Sequence, residues 1–237
     1  MKTGFIPIML HHEELRPDGI KYITDYVNTG LARIDRPFQL YIVDNGSPQN
    51  NRNLFRDGLD YYYIEDQFIS GITGAWNFGI EQAISDGCDI ICVTNDDITF
   101  NPTINIFIDY IRNDKHNGHR FYGPMTNGVM PPSKQKSPTP INDIIIHGGK
   151  HGNDVINGFF FAFTKEFYDT YKHKNGQMFA LKHENDGGDG KWGGQEGEFL
   201  RWCKEGAQSV IIGTSWIYHH KIRGYRNTRK IDIERNS

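Results

Sequence analysis

Apolar residues fall into short runs separated by polar, turn-forming stretches, and the runs show two different spacings. Phe5 to Leu10 and Phe38 to Val43 are compact apolar runs with polar flanks, which predicts two strands. Between them Ile20, Ile23, Val27 and Leu31 recur at helical spacing within Gly19 to Leu31, so the opening unit reads strand, helix, strand, with the strands parallel. Tyr61 to Ile64 is a short third strand. Thr73 to Ser85 carries Trp76, Ile80, Ala83 and Ile84 on one helical face and is stopped by Gly87. Asp89 to Val93 is a fourth strand and almost wholly apolar, as befits a sheet covered by helices on both sides.

The character changes after Phe100. Pro102 to Ile111 reads as a helix, and Pro124 to Pro140, rich in Pro, Ser and Lys, reads as an exposed loop. Order returns at Ile141 to Ile146. Asn157 to Phe163 is a strand of bulky aromatics and Lys165 to Lys172 a short helix. Glu184 to Gly194 is a Gly- and Asp-rich loop containing Trp192, expected to move, and Glu196 to Cys203 is a helix. Ser209 to Ile212 and Trp216 to His219 read as two further short strands. No internal repeat is present.

Length and composition narrow the class. A chain of 237 residues holds one good-sized core but hardly two independent domains. Charged residues at 23% and hydrophobic ones at 37% are ordinary, and an aromatic share of 13% is high, which excludes a disordered chain. A formal net charge of −3 argues against indiscriminate nucleic-acid binding. The exception is Lys221, Arg223, Arg226, Arg229 and Lys230, a cluster that is either a solvated face or a surface for phosphates. Cys88, Cys92 and Cys203 have no metal-finger spacing and cannot all pair with one another, which fits a reducing, cytoplasmic setting. Pro7 and His11-His12 interrupt the first apolar run before it could serve as a signal peptide, and nothing approaches the length of a transmembrane segment.

Four segments carry candidate chemistry. Val43-Asp44-Asn45-Gly46-Ser47 ends a strand, where open α/β sheets bind ligands; Asp44 there accepts hydrogen bonds from a base or ribose, or the segment is simply a turn. Asn95-Asp96-Asp97 places adjacent carboxylates at the mouth of a buried strand, which is costly unless a cation or a sugar hydroxyl lies between them; an exposed turn with both acids solvated is the alternative. Gln195-Glu196-Gly197-Glu198 opens a helix after a loop, so Glu196 is either a general base of adjustable exposure or an acid that suits the helix dipole. Trp216-Ile217-Tyr218-His219-His220 brings imidazoles to a late strand end, where a neutral His can complete a cation's shell with Asp97, or where both rings serve only the fold.

The order of these segments resembles the GT-A fold, and specifically the family 2 glycosyltransferases, including their rhamnosyltransferase-like branch. VDNGS at Val43 to Ser47 is similar to the family's first nucleotide-binding turn, with Asp44 toward the base and Asn45 beside it. Ile69 to Ile80 resembles the stretch in which a helix starts under the donor, which marks Gly71 and Asn77. Asn95-Asp96-Asp97 resembles the D-x-D element with Asn95 in place of its first acid; this puts Asp96 near the ribose or diphosphate and Asp97 on a metal. Asn157-Gly158-Phe159-Phe160-Phe161 looks like the strand beside the acceptor pocket, which marks Gly158. Gln195 to Glu198 sits where the family carries an E-D pair, with Glu196 on the base and Glu198 in reserve. His219 or His220 matches a late metal-binding His, His219 being preferred because it ends the apolar strand directly.

The resemblance implies a single α/β GT-A domain, Rossmann-like, with a mostly parallel central sheet flanked by helices. Residues 1–100 would form a nucleotide-binding half, 101–226 an acceptor-binding half and 227–237 a basic tail. It implies an inverting transfer of one sugar from a nucleoside diphosphate donor, with a UDP-sugar favoured, using Mn²⁺ or Mg²⁺. Glu196 would take the acceptor hydroxyl's proton, Arg223 and Arg226 would meet the donor phosphates, and Trp192 would stack on the acceptor. The acceptor is open among a glycan, a small molecule and a modified nucleobase. A catalytically degenerate protein that only binds nucleotide sugars or glycans is the competing reading, and a nucleotidyltransferase is disfavoured because no Gly-rich phosphate loop follows the first strand.

Overall fold

The structure is a computed structural model and describes residues 1–14, 16–64, 71–129, 134–148, 156–180 and 206–220. In chain order the strands are β1 (Thr3–Met9), β2 (Phe38–Asn45), β3 (Asp60–Ile64), β4 (Ile90–Asn95), β5 (Ile98–Thr99), β6 (Arg120–Thr126), β7 (Ile144–Gly148), β8 (Phe160–Thr164) and β9 (Gln208–His219). The α-helices are α1 (Gly19–Arg33), α2 (Gly71–Ser85), α3 (Ile104–Asn113) and α4 (Lys165–Tyr171). The strands form one sheet in the order β3-β2-β1-β4-β8-β6-β9-β5, with β7 also paired to β9.

The first four strands are mutually parallel. β8 then runs against β4 and against β6, and β6 runs with β9. Two reversals restore the original direction, so β6 and β9 point the same way as β1 to β4, and only β5, β7 and β8 oppose them. The sheet is therefore mostly parallel, as the alternation of strands and helices predicts.

Alternation along each strand feeds two cores. Ile6, Tyr41, Val43, Ile91, Val93, Phe161 and Phe163 face one side, where Trp76, Ile80 and Ala83 of α2 and Phe167 of α4 meet them. Phe5, Leu40, Ile42, Ile90, Cys92, Phe160 and Ala162 face the other, against Ile23, Tyr26 and Val27 of α1 and Ile104, Phe107, Ile108 and Ile111 of α3. Gly79 lets α2 lie directly on β1, since a Cβ there would come within 2.3 Å of Ile6 Cγ2. Leu31, assigned to the buried stripe of α1 from its spacing, is 37% exposed; the helix turns its Gly19, Ile23, Tyr26, Val27 and Gly30 side inward instead.

Two predictions about the second half are corrected. The exposed loop expected from Pro124 begins inside β6, whose residues from Phe121 to Thr126 are all buried, and Gln135 further on is fully buried. The two late strands are one: β9 runs unbroken from Gln208 to His219. It bulges between Ile212 and Trp216, which pair with consecutive residues Pro124 and Met125 of β6. Gly213 sits in the bulge because a Cβ there would lie 2.3 Å from the Asp143 carbonyl oxygen. Among the described residues no helix is long and apolar enough to cross a membrane.

Candidate functional site

The common direction of β2, β4 and β9 decides where chemistry can gather. Asn45 ends β2, Asn95 ends β4 and His219 ends β9, so their C-terminal ends, far apart in sequence, leave the sheet on one edge. That edge is where open α/β sheets offer free backbone groups to a ligand.

Asp44 is fully buried, and its carboxylate is surrounded by donors of the turn that follows it and of β3. Oδ1 accepts from the Ser47 amide at 3.2 Å and from the Ser47 hydroxyl; Oδ2 accepts from Tyr61 at 2.6 Å and from Asn51 Nδ2 at 3.1 Å. Burial and the bond to Asp44 raise the Tyr61 pKa, so its hydroxyl stays a donor. Asn45 beside it is buried too, 7% exposed. The geometry of Asp44 is thus the turn its residue types favour, with the carboxylate as the knot.

At the end of β4 the amide of Asn95 donates to the Phe159 carbonyl at 2.8 Å, tying this mouth to the segment that leads into β8. Asp96 is 1% exposed and ion-paired through Oδ1 to the Arg16 guanidinium, which also donates to the Leu10 carbonyl at 3.1 Å. Burial pushes the Asp96 carboxyl up to about 6, with Arg16 pulling the other way and Asp97 adding to the rise. Arg16 is the compensating cation that the sequence reading did not find. It lies in a polar loop with no periodicity, and nothing in the pattern singles it out.

Asp97 is 5% exposed, and its Oδ1 lies 3.3 Å from Nε2 of His219. His219 is held on three sides. Its amide and carbonyl both bond the Asn127 side chain, at 2.7 and 3.0 Å, its ring stacks on Phe159 at 5.0 Å, and its Nδ1 meets the Gly128 carbonyl at 2.7 Å. His220 is placed differently: its amide donates to the Asp97 carbonyl at 2.9 Å, while its Nε2 lies 2.7 Å from Thr99 Oγ1. Burial lowers the His220 pKa, favouring the neutral ring. Of the two imidazoles it is His219 that faces the Asp97 carboxylate.

The remaining candidates fall into two groups. Gly71 opens α2 at a φ of 57°. Asn77 is buried and forms a two-way clamp with Phe179, Nδ2 donating to the carbonyl at 2.9 Å and Oδ1 accepting from the amide at 3.0 Å. Gly158 is half-buried just before β8, next to the Phe159 carbonyl that holds Asn95. Glu196, Glu198, Trp192, Arg223 and Arg226 lie outside the described residues, as do the loop and helix predicted around 184–203.

The Gly128 carbonyl accepts a hydrogen bond from Nδ1–H and so keeps the proton on that nitrogen, and a neutral His219 presents the Nε2 lone pair to a carboxylate oxygen. Two acceptors at that separation call for a positive charge between them, either a proton or a metal ion. An imidazole oriented through its far nitrogen by a backbone carbonyl is also the arrangement metal sites use. Among the described residues no group of three or more His, Cys, Asp or Glu could hold a metal ion. The pair alone suits a hard cation that takes few protein ligands and completes its shell with substrate phosphates and water.

The sequence profile of Glycosyl transferase family 2 matches residues 8–173, more than half of the chain. The chain belongs to that family. The match takes in Asp44, Asn77, Asp96 and Asp97 and stops before β9. Similar solved structures include GalNAc-T7 with UDP, GalNAc and Mn²⁺, at a TM-score of 0.60 and 12% identity over 94% of this chain and 44% of that one. The S. aureus TarS 1–349 structure in complex with UDP-GlcNAc matches at 0.60 and 14% identity over 95% of this chain and 61% of that one. A further S. aureus TarS 1–349 structure matches at 0.58 and 14% identity over 99% of this chain and 65% of that one. The chain thus spans about two thirds or less of each of these solved chains, and at such identities the likeness is one of fold, GT-A. A comparison of the sequence with curated proteins finds no match.

Proposed function

We propose that this family 2 protein is a metal-dependent, inverting glycosyltransferase that moves a sugar from a UDP-sugar to an acceptor hydroxyl. The observation that carries the reading is the approach of Asp97 and His219 to 3.3 Å at the sheet edge where β2 and β4 also end. Asp97 and His219 would hold Mn²⁺ or Mg²⁺, and the bound ion would neutralise charge building on the departing diphosphate. Asp96 and Asn95 would lie against the ribose and diphosphate, with the turn at Asp44 and Asn45 shaping the wall that receives the base. Glu196 remains the proposed base for the acceptor hydroxyl, with Glu198 in reserve; its proton transfer and a single displacement account for inversion with no covalent intermediate. Arg223 and Arg226 are proposed for the phosphates, Gly158 and Trp192 for the acceptor. UDP is favoured because the TarS and GalNAc-T7 structures carry UDP or a UDP-sugar. Within the family the order of the motifs suggests the rhamnosyltransferase-like branch, and the free thiols of the buried Cys88 and Cys92 support a cytoplasmic setting.

The test is calorimetry of the full chain with UDP and MnCl₂, followed by transfer assays with UDP-sugars. Nucleotide binding that needs the metal and disappears in Asp97→Ala supports the proposal; absence of binding for every nucleoside diphosphate, with or without metal, ends it. The binding-only reading has one observation in its favour: the Asp44 carboxylate is already occupied by Ser47, Asn51 and Tyr61. Metal-dependent binding with no product from any donor would select it.

A further inference from the structure

We propose that Arg16 is a positioning residue for the sugar donor, holding Asp96 so that one carboxylate oxygen is presented to a donor hydroxyl. The inference rests on the donor site proposed above and extends it to a residue in the β1–α1 turn.

Asp96 is buried, and its two oxygens differ. Oδ1 is taken by the guanidinium of Arg16, whereas Oδ2 is buried and has no hydrogen-bond partner among the described residues. A buried carboxylate oxygen without a donor is costly, and the cost is removed when a ligand hydroxyl arrives. Rotation of the carboxylate is prevented by Arg16, which is itself rigidly placed. Its side chain is 12% exposed, one amino group bonds the Leu10 carbonyl, its amide donates to the His12 carbonyl at 2.8 Å, and its own carbonyl accepts from the Gly19 amide at 3.1 Å. The guanidinium therefore reads as a bracket fixed to the end of β1 and the start of α1, with Asp96 on its open arm.

The same turn also holds the other acidic corner of the site. The His11 amide donates to Ser47 Oγ at 2.9 Å, and that hydroxyl donates onward to Asp44. Leu10, His11 and Arg16 thus tie together the ends of β2 and β4, the two strand ends proposed to meet the nucleotide. An arginine suits this place because its planar fork makes two bonds in different directions at once; a lysine would make one well.

The experiment is a double-mutant cycle on the full chain, read as the dissociation constant for UDP in the presence of MnCl₂, using wild type, Arg16→Met, Arg16→Lys, Asp96→Asn and the double variants Arg16→Met/Asp96→Asn and Arg16→Lys/Asp96→Asn. Arg16→Met, which keeps the buried stem, is expected to weaken UDP about 10-fold or more, with Arg16→Lys between it and wild type. In the Asp96→Asn background the Arg16→Met effect is expected to shrink several-fold, because the ion pair is gone and the guanidinium keeps only a neutral amide oxygen to hold. In a transfer assay the donor KM rises while the acceptor KM does not. Unchanged UDP affinity in Arg16→Met, or an equal loss in both Asp96 backgrounds, overturns the proposal. Should Arg16→Met fail to fold, Arg16→Lys answers the same question: affinity equal to wild type or an equal loss in both backgrounds refutes, and a loss larger with Asp96 than with Asp96→Asn supports. A wild-type chain that binds no nucleotide defeats the proposed function instead, and that result is distinct from any of these.

Discussion

His219 meets Asp97 through Nε2, at 3.3 Å, while its Nδ1 is committed to the Gly128 carbonyl at 2.7 Å. The second contact gives the first its meaning, since it fixes which nitrogen carries the proton and which is left to face the carboxylate. His220, one residue on, has its ring nitrogen on Thr99 and is a poor substitute.

The expected outcome is a sharp difference between the two histidines. Alanine at Asp97 or His219 should weaken Mn²⁺-dependent UDP binding by about 100-fold or more, because each would remove half of a two-residue metal grip. His220→Ala should leave that binding unchanged and cost about 1 kcal/mol of stability through the lost Thr99 contact. Calorimetry on the three variants decides this, and a loss in His220→Ala equal to that in His219→Ala would refute the assignment.

Asn77 gives a second prediction, and it separates stability from binding. Its amide group bonds both backbone groups of Phe179 in a buried setting, so Asn77→Ala removes two buried hydrogen bonds at once. The cost should be about 2–4 kcal/mol in urea unfolding. UDP affinity of the folded variant should match wild type. A variant as stable as wild type with weakened nucleotide binding would return Asn77 to the donor site.

These two residues also show what the sequence made legible. Asp97 and His219 are visible because one lies just past the end of an apolar strand and the other ends one, and chain direction can then be argued from alternating elements. Asn77 was visible as a position but not as a clamp, since its partner lies 102 residues away and nothing local announces it. β6 was hidden by Gly123-Pro124, which reads as a break; the strand tolerates Pro124 because the ladder with β9 is irregular at that point. The same bulge, carrying Gly213, Thr214 and Ser215, made β9 look like two strands. Arg16 was missed for a different reason: its partner Asp96 is found only by long-range folding, and a lone Arg in a polar turn has no pattern to betray it.

Asp114, at the end of α3, supplies a prediction about pH. Burial alone would raise its carboxyl, but two bonds from Arg120, at 2.7 and 2.9 Å, with others from the His116 amide and the Tyr122 hydroxyl, outweigh it and hold the pKa below its ordinary 3.8. A carboxyl depressed in the folded state contributes its full stability above its unfolded pKa, and loses it as pH falls through the folded value. Asp114→Asn should therefore cost about 3 kcal/mol near neutral pH. The gap between the two proteins in urea midpoint should close as the solution is taken below the ordinary carboxylate range. A gap independent of pH would mean that the ion pair with Arg120 contributes nothing and only shape was lost.

Asp44 tests whether the first acidic corner of the site reads the base or builds the wall. Four donors converge on its carboxylate, two on each oxygen, and none of its surface reaches solvent. Asparagine would keep one acceptor and place an amide nitrogen against donors that have nowhere to turn, for a cost of about 2–4 kcal/mol. Tyr61→Phe removes a single donor and should cost about 1 kcal/mol. If Asp44 is architectural, Asp44→Asn lowers the unfolding midpoint by several times as much as Tyr61→Phe, and a panel of nucleoside diphosphates binds in an unchanged order of preference. A stable Asp44→Asn protein that exchanges its preference between bases would instead show the carboxylate reaching the nucleotide, at the expense of the bonds now drawn to Ser47 and Tyr61.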